Sequence, residues 1–410
     1  MARRVVITGG GLLTGLADSP PALHAALCAG RTALRPVAPG DALPAGCRLA
    51  APAPFTPEAY LGERNLRPLD RAGQLLASAA GLALADSGWG PELRKAQEVG
   101  LVAGTVFSGA RTILEFDRRA QREGPCYASP MDFANTVINA AAGQTAIWHD
   151  LRGVNSTVAA GASSGLRALA HAADLVRAGR AAAVLAGGFE ELSLESVHGF
   201  VRAGLLAGAD GDGERPVPFD AHRNGIALGE GAALLMLEDA GRAVERGAAP
   251  RAEVRGYGVA FDPSLGRSVA GSTAAVARAM EAALRDAGVS ADDVDAVSAS
   301  ANGSVLGDRV EALALQAVFG RRGPRPAVTA VKAALGEALG AAGALQVLAL
   351  TEALRDGTLP GVSGLEEAET DFLRGKVVAH GRRLSLRTAL VSSVGVDGDC
   401  CALVLTAWAA

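Results

Sequence analysis

The stretch Asn155 to Gly165 (NSTVAAGASSG) reads as a strand, a sharp turn of small residues and the start of a helix. That is the shape of a nucleophile elbow, which pushes one side chain out at the positive end of a helix, where a thiolate or oxyanion is stabilised. Leu166, Leu169, Ala173 and Val176 then fall on one apolar helix face, and Ser163 or Ser164 is placed to cap it. The tip residue is Ala162, which offers no nucleophile. Other nucleophiles are scattered. Cys28, Cys47, Cys126, Cys400 and Cys401 contain no CxxC pair, so neither a zinc knuckle nor a disulfide framework is indicated. His24, His149 and His171 lie in helical patterns or at their ends and read as packing or surface residues, while His222 stands in a loop. Cys400 and Cys401 read as core residues of a late strand, with a relocated thiol nucleophile as the alternative.

The elements around these residues come from a chain of 410 residues, long enough for two or three domains or one large two-part unit. A hydrophobic share of 49% excludes a disordered chain. Lys and Arg total 39 against 43 Asp and Glu, which lacks the basic excess of a nucleic-acid binder. Aromatics at 4% supply neither base-stacking platforms nor a membrane belt. The apolar run Ala181 to Gly188 is too short to span a bilayer. Val5 to Gly9 reads as a strand and not as the apolar core of a signal peptide, so a cytoplasmic location is expected.

Short β-branched runs alternate with Ala/Leu-rich helical patterns, which predicts an α/β fold with a mostly parallel, helix-covered sheet. Strands are expected at Val5–Thr8, Val99–Val102, Ser156–Ala159, Ala183–Ala186 and Ala232–Leu237. A second set is expected at Ala252–Val259, Ala296–Ala299, Ala327–Val331, Ala389–Ser393 and Ala402–Leu405. The polar stretch Arg242 to Arg251 separates them, giving halves at residues 1–245 and 252–410 and hinting at a duplication. Thr8 to Gly15 (TGGGLLTG) lacks both the GxGxxG spacing and the later acidic residue of a dinucleotide site, so a tight glycine turn is expected there.

Six segments in chain order carry a resemblance. They are Leu151 to Gly165, Ala186 to Glu190 (AGGFE), Arg215 to Ala232 (RPVPFDAHRNGIALGEGA), Asp295 to Glu311, Val331 to Gly343 (VKAALGEALGAAG) and Ser392 to Gly398 (SSVGVDG). Together they resemble β-ketoacyl synthases over essentially the whole chain. The resemblance implies a thiolase fold, with two βαβαβ-type halves in a five-layer αβαβα arrangement, working as a dimer. Active members condense an acyl thioester with a malonyl thioester. A Cys takes the acyl chain, and two His polarise the malonyl carbonyl. Carried over position by position, those three residues are Ala162, Ser300 and Glu337 here. An ionised Glu337 has the wrong sign for a developing enolate. Lys332, Glu311 and Asp308 match supporting positions, and Lys332 with Glu311 is expected to be a buried ion pair kept as scaffold. The gate loop Gly395, Val396, Asp397, Gly398 lacks the family's phenylalanine.

Within that family, the member known for losing the catalytic residues is the chain-length factor, or ketosynthase β subunit, of bacterial type II polyketide synthases. The resemblance therefore implies a heterodimer with a catalytic ketosynthase α subunit. It also implies no bound cofactor and action with a phosphopantetheinylated acyl carrier protein, while the composition leaves neither a nucleic-acid nor a membrane partner expected. Ala162 stands where aromatic-type subunits usually carry Gln, so a reducing, polyene-type system is expected. In register with that subunit, the tunnel-gating positions are Ala110, Ile113 and Asp117, with Phe116 adjacent. Ile113 and Phe116 also read simply as helix packing. Two alternatives stay open: an active condensing or decarboxylating enzyme with relocated residues, and a homodimeric thiolase-fold scaffold.

Overall fold

The computed structural model describes residues 3–37, 48–63, 65–209, 211, 213–264, 267–320 and 326–409, so Cys47 lies outside the described residues. Its main sheet has a first set of strands, β1 (Val5–Thr14), β2 (Val99–Gly104), β3 (Asn155–Val158), β4 (Ala183–Glu190) and β5 (Gly231–Asp239). The second set is β6 (Ala252–Phe261), β7 (Ala296–Ser298), β8 (Ala327–Thr329), β9 (Thr388–Val394) and β10 (Asp399–Ala407). Each of the ten strand expectations overlaps one of these. The helices that matter below are α1 (Arg71–Asp86), α2 (Ala110–Glu123), α3 (Ala140–His149), α4 (Ser164–Arg177), α5 (Leu194–Arg202), α6 (Val269–Ala287), α7 (Val305–Phe319) and α8 (Ala342–Asp356).

The sheet runs β8-β7-β9-β10-β6-β1-β5-β4-β2-β3. Outward from the β1/β6 seam, one arrangement is used twice: β1-β5-β4-β2-β3 on one side and β6-β10-β9-β7-β8 on the other. Only the outer pairs of each set are parallel. Every pair from β4 through the seam to β9 is antiparallel. The sheet is thus mixed, not mostly parallel as expected. The β9–β10 link shows why: the short loop Gly395 to Gly398 cannot make a parallel crossover.

α8 is buried on every residue from Ala342 to Leu354 and touches β4 and β5 on one side and β9 and β10 on the other. A helix buried all round belongs to a central layer, and α4 shares it. α1 and α3 cover the outer face of the first set, and α6 and α7 that of the second, which completes five layers. The expected glycine turn is instead part of β1. Gly11 packs so closely on the α1 backbone at Ala79 and Ala83 that a Cβ there would overlap it, so these glycines serve helix-on-strand approach. No helix among the described residues is long and apolar enough to cross a membrane.

Candidate functional site

The elbow forms as read: β3 leads through Gly161, at φ +53°, into α4. Leu166, Leu169, Ala173 and Val176 are all buried. Neither serine caps the helix with its side chain. The Ser163 hydroxyl is drawn off to the Asp399 carboxylate, and Ser164 Oγ takes the Ala160 N–H at 2.8 Å and donates to the Gly161 carbonyl at 2.6 Å. Ala162 at the tip receives a hydrogen bond on its carbonyl, from Ser393 Oγ at 3.2 Å.

Across from it stand the other two substituted positions. Lys332 Nζ pairs with Glu337 Oε2 at 2.7 Å, and both side chains are essentially buried. Asn302 Nδ2 donates to the same oxygen at 2.8 Å, and the Leu339 N–H donates to Glu337 Oε1 at 3.0 Å. Ser300 Oγ accepts from Lys332 Nζ at 3.2 Å and from the Val394 N–H at 3.0 Å. The expected Lys332–Glu311 ion pair is therefore replaced by Lys332–Glu337, because the residue at the second His position has become the nearer acid. Glu311 instead accepts the Ser300 N–H at 2.9 Å and the Ser392 hydroxyl. Burial pushes its carboxyl up to about 7, against the pull of those bonds.

Asp308 ties the site to the first half. It accepts the N–H groups of Phe219, Asn302 and Gly303 at 2.9, 2.9 and 3.1 Å and faces Arg223 at 3.4 Å. Phe219 is held at φ +63°, a costly conformation for a bulky residue that this clamp secures. Burial pushes the Asp308 carboxyl up to about 6.

The gate loop closes on itself, with Gly395 N–H to the Asp399 carbonyl at 2.8 Å and Gly398, at φ +86°, donating to the Gly395 carbonyl at 3.1 Å. The Asp397 carboxylate lies over Gly161, where any Cβ would collide with it. Val396 is 72% exposed. Behind the loop is a cavity of about 260 Å³ lined by Ser300, Asn302, Glu311, Leu205, Val396 and Cys400. Cys400 thus reaches the site, while Cys401 faces the central layer from the opposite side of β10. Burial, with Asp399 nearby, pushes both thiols up to about 12, so neither is a thiolate near neutral pH. Among the described residues no histidine lines this cavity. His24 bonds to the Thr358 carbonyl, His149 to the Ala77 carbonyl, His222 sits beside Asp220, and His171 is exposed.

A second cavity, about 430 Å³ and mostly apolar, shares Leu205 and Val396 with the first. Of the four positions expected to gate a tunnel, Ala110 lines it. Ile113 is 40% exposed, Phe116 packs on Phe133 with ring centroids 5.8 Å apart, and Asp117 points outward to Gln121. Leu114, one position on from Ile113, is the α2 residue that joins Ala110 in the wall.

Glu190 had no role in the sequence reading. Its buried carboxylate accepts the N–H groups of Val106, Phe107, Ser108 and Gly340 at 2.7, 2.9, 3.1 and 3.2 Å, which fixes the loop that launches α2. Burial pushes it up to about 7. Its place closing the AGGFE segment was the available signal.

Comparison with known proteins agrees with this geometry. Residues 2–243 match the profile of the β-ketoacyl synthase N-terminal domain, and residues 251–366 that of the C-terminal domain. The chain is 32% identical over 415 residues to a 3-oxoacyl-(acyl-carrier-protein) synthase 2 of Rhizobium meliloti, covering 98% of both. It is 32% identical over 414 residues to an oxytetracycline polyketide putative β-ketoacyl synthase 1 of Streptomyces rimosus, covering 99% of this chain and 97% of that one. A solved structure of the ishigamide ketosynthase/chain length factor matches all of both chains with a TM-score of 0.91 at 28% identity. Aligned end to end with such relatives and built on the thiolase fold, the chain belongs to the β-ketoacyl synthase family.

Proposed function

We propose that this chain is a non-catalytic chain-length factor. It pairs with an active ketosynthase and shapes the acyl tunnel while a phosphopantetheinylated acyl carrier protein delivers the growing chain. The observation that carries the reading is the buried Lys332–Glu337 pair, bonded to Ser300, in a site whose elbow tip is Ala162. A polar site with no nucleophile at the elbow tip and a fixed counter-ion has been turned from chemistry to scaffold. The open outer face supports a partner: Phe107, Ile113, Phe133, Ile138 and Ile147 are exposed apolar residues on or near α2 and α3. β3, which packs on α3, is the end strand of the main sheet among the described residues. The open 430 Å³ cavity supports the tunnel, its wall coming from the half at residues 1–245 with Val396 from the half at 252–410. Ala162 in place of Gln favours a reducing, polyene-type pathway, and the subunit works in the cytoplasm.

Cys400 lines the site cavity and keeps a relocated nucleophile as the second reading, which its raised thiol opposes. Co-expression of the tagged chain with the ketosynthase encoded beside it tests both. A one-to-one complex is expected, with no acyl adduct on Cys400 by intact mass. A lone homodimer overturns the chain-length-factor reading, and an acyl-Cys400 adduct supports the second one.

A further inference from the structure

We propose that the Arg118–Glu195 ion pair is the stop that limits how long an acyl chain this subunit accepts. The inference rests on reading the 430 Å³ cavity as acyl tunnel. Most of its wall is apolar, from Phe107, Ala110, Leu114, Phe200, Leu205 and Val396, and among the described residues Glu195 is the single ionisable one lining it. Glu195, Gly199 and Ala203 recur every four residues along α5 and its end, so they form one stripe. At 1.5 Å of rise per residue, Glu195 lies about 12 Å from Ala203. The Ala203 end is the one toward the substituted site, because Leu205 follows it in the chain and also lines the cavity beside Ser300. Glu195 therefore marks the far end.

The facing helix repeats the pattern. Ala110, Leu114 and Arg118 share one stripe of α2, running from apolar wall to cation. Arg118 Nη1 meets Glu195 Oε1 at 3.1 Å and ties the two helices together there. A hydrocarbon terminus that advanced past Leu114 would have to strip water from this pair without offering it a hydrogen bond, which is unfavourable. The Arg118 side chain is 54% exposed, and ion pairs of that kind contribute little to stability, so removing this one reaches the cavity and not the fold.

The full-length protein is saturated with cis-parinaric acid, and straight-chain saturated carboxylic acids of increasing length compete it off. Affinity is expected to climb about fourfold per added methylene and then level off. In Glu195→Ala and Arg118→Ala the plateau moves to acids longer by about two methylenes or more, into the space of the removed side chains. The exchanged pair, R118E with E195R, brings the plateau back. An identical plateau in all variants, a shift that the exchanged pair does not reverse, or no binding to the wild-type chain overturns the proposal. Products of the complex co-expressed with ketosynthase are expected to lengthen in parallel. Absence of that complex defeats the chain-length-factor reading, while the acid series still decides on the ion pair.

Discussion

At one end of the sheet, β8 is closed off: the Val328 N–H reaches the Lys376 carbonyl at 2.7 Å, the Val378 N–H reaches the Val328 carbonyl at 2.9 Å, and Ala327, Val328 and Thr329 are all buried. At the other end its counterpart β3 pairs, among the described residues, with no strand but β2, begins with an exposed Asn155, and packs on α3, which carries the exposed Ile147. The two halves share one strand arrangement, so the fold alone does not dictate this contrast. The second half spends its polar residues on sealing, through Lys332–Glu337, Glu311 and Asp308. The first half leaves backbone groups, apolar surface and an open cavity for something else to meet.

The largest expected effect tests the sealing. Lys332→Met leaves Glu337 buried with its ion-pair partner gone, which should cost about 3–5 kcal/mol in denaturant unfolding. Replacing both residues, as Lys332→Met with Glu337→Leu, should recover most of that loss. A loss under about 1 kcal/mol in the single variant would break the contrast, because the pair would then not be a seal.

The next effect belongs to the open end. The Val154 and Val158 carbonyls accept the N–H groups of Leu101 in β2 and of Thr105 just after it, so alternation turns the Thr157 N–H away from the sheet. Thr157→Pro removes that free donor while sparing the β2 ladder, a substitution that edge strands tolerate. The affinity for the ketosynthase should fall by about tenfold or more, ~1.4 kcal/mol, with little change in unfolding temperature. Ile147→Asp, on the same face, should act alike if proline disturbs the strand. Full-strength binding by both variants would show that β3 is not where the partner sits.

Both ends were partly legible in the sequence. The strands could be found because β-branched runs and punctuating glycines are local signals, and the elbow because its small residues are consecutive. What lay beyond reach was pairing across the chain. Nothing local in Gly9 to Gly11 distinguishes a turn from a strand pressed on a helix, since the difference is the α1 backbone, some seventy residues away. Lys332 was matched to Glu311 by resemblance, yet its partner is set by Glu337, five positions on and turned inward by the same loop. The roles of Asp308 and Arg223 in clamping Phe219 likewise needed two distant segments side by side.

A smaller effect separates the buried acids from ordinary ones. Burial holds Glu311 up at about 7, so the folded chain keeps its proton at pH values where the unfolded chain has released it. The stability this supplies is full below the ordinary carboxylate range and is lost as the pH rises through about 7. Glu311→Gln keeps an acceptor for Ser300 and Ser392 but no titration. Stability measured from pH 5 to 8 should therefore fall with pH more steeply in the wild type than in the variant. Parallel curves would mean that Glu311 titrates as it does in water. The same comparison at Glu190, in the first half, asks whether the loop before α2 is held by a group that changes charge near neutrality.

The smallest effect is also the most local, because it sets two neighbours against each other. Ile113 is exposed on the outer face of α2, whereas Leu114 turns to the cavity, a consequence of the roughly 100° step between successive helical residues. Ile113→Ser should leave unfolding within about 0.5 kcal/mol of the wild type, as exposed positions usually do, and leave fatty-acid binding unchanged. It should weaken the ketosynthase complex by a few-fold at most, as one residue of a broad apolar face. Leu114→Ser should do the opposite, weakening fatty-acid binding while sparing the complex, because it removes wall and not interface. If Ile113→Ser instead changes product length as strongly as Leu114→Ser, the tunnel runs along the outer face of α2 and is completed by the partner. The open end of the molecule would then be interface and cavity at once.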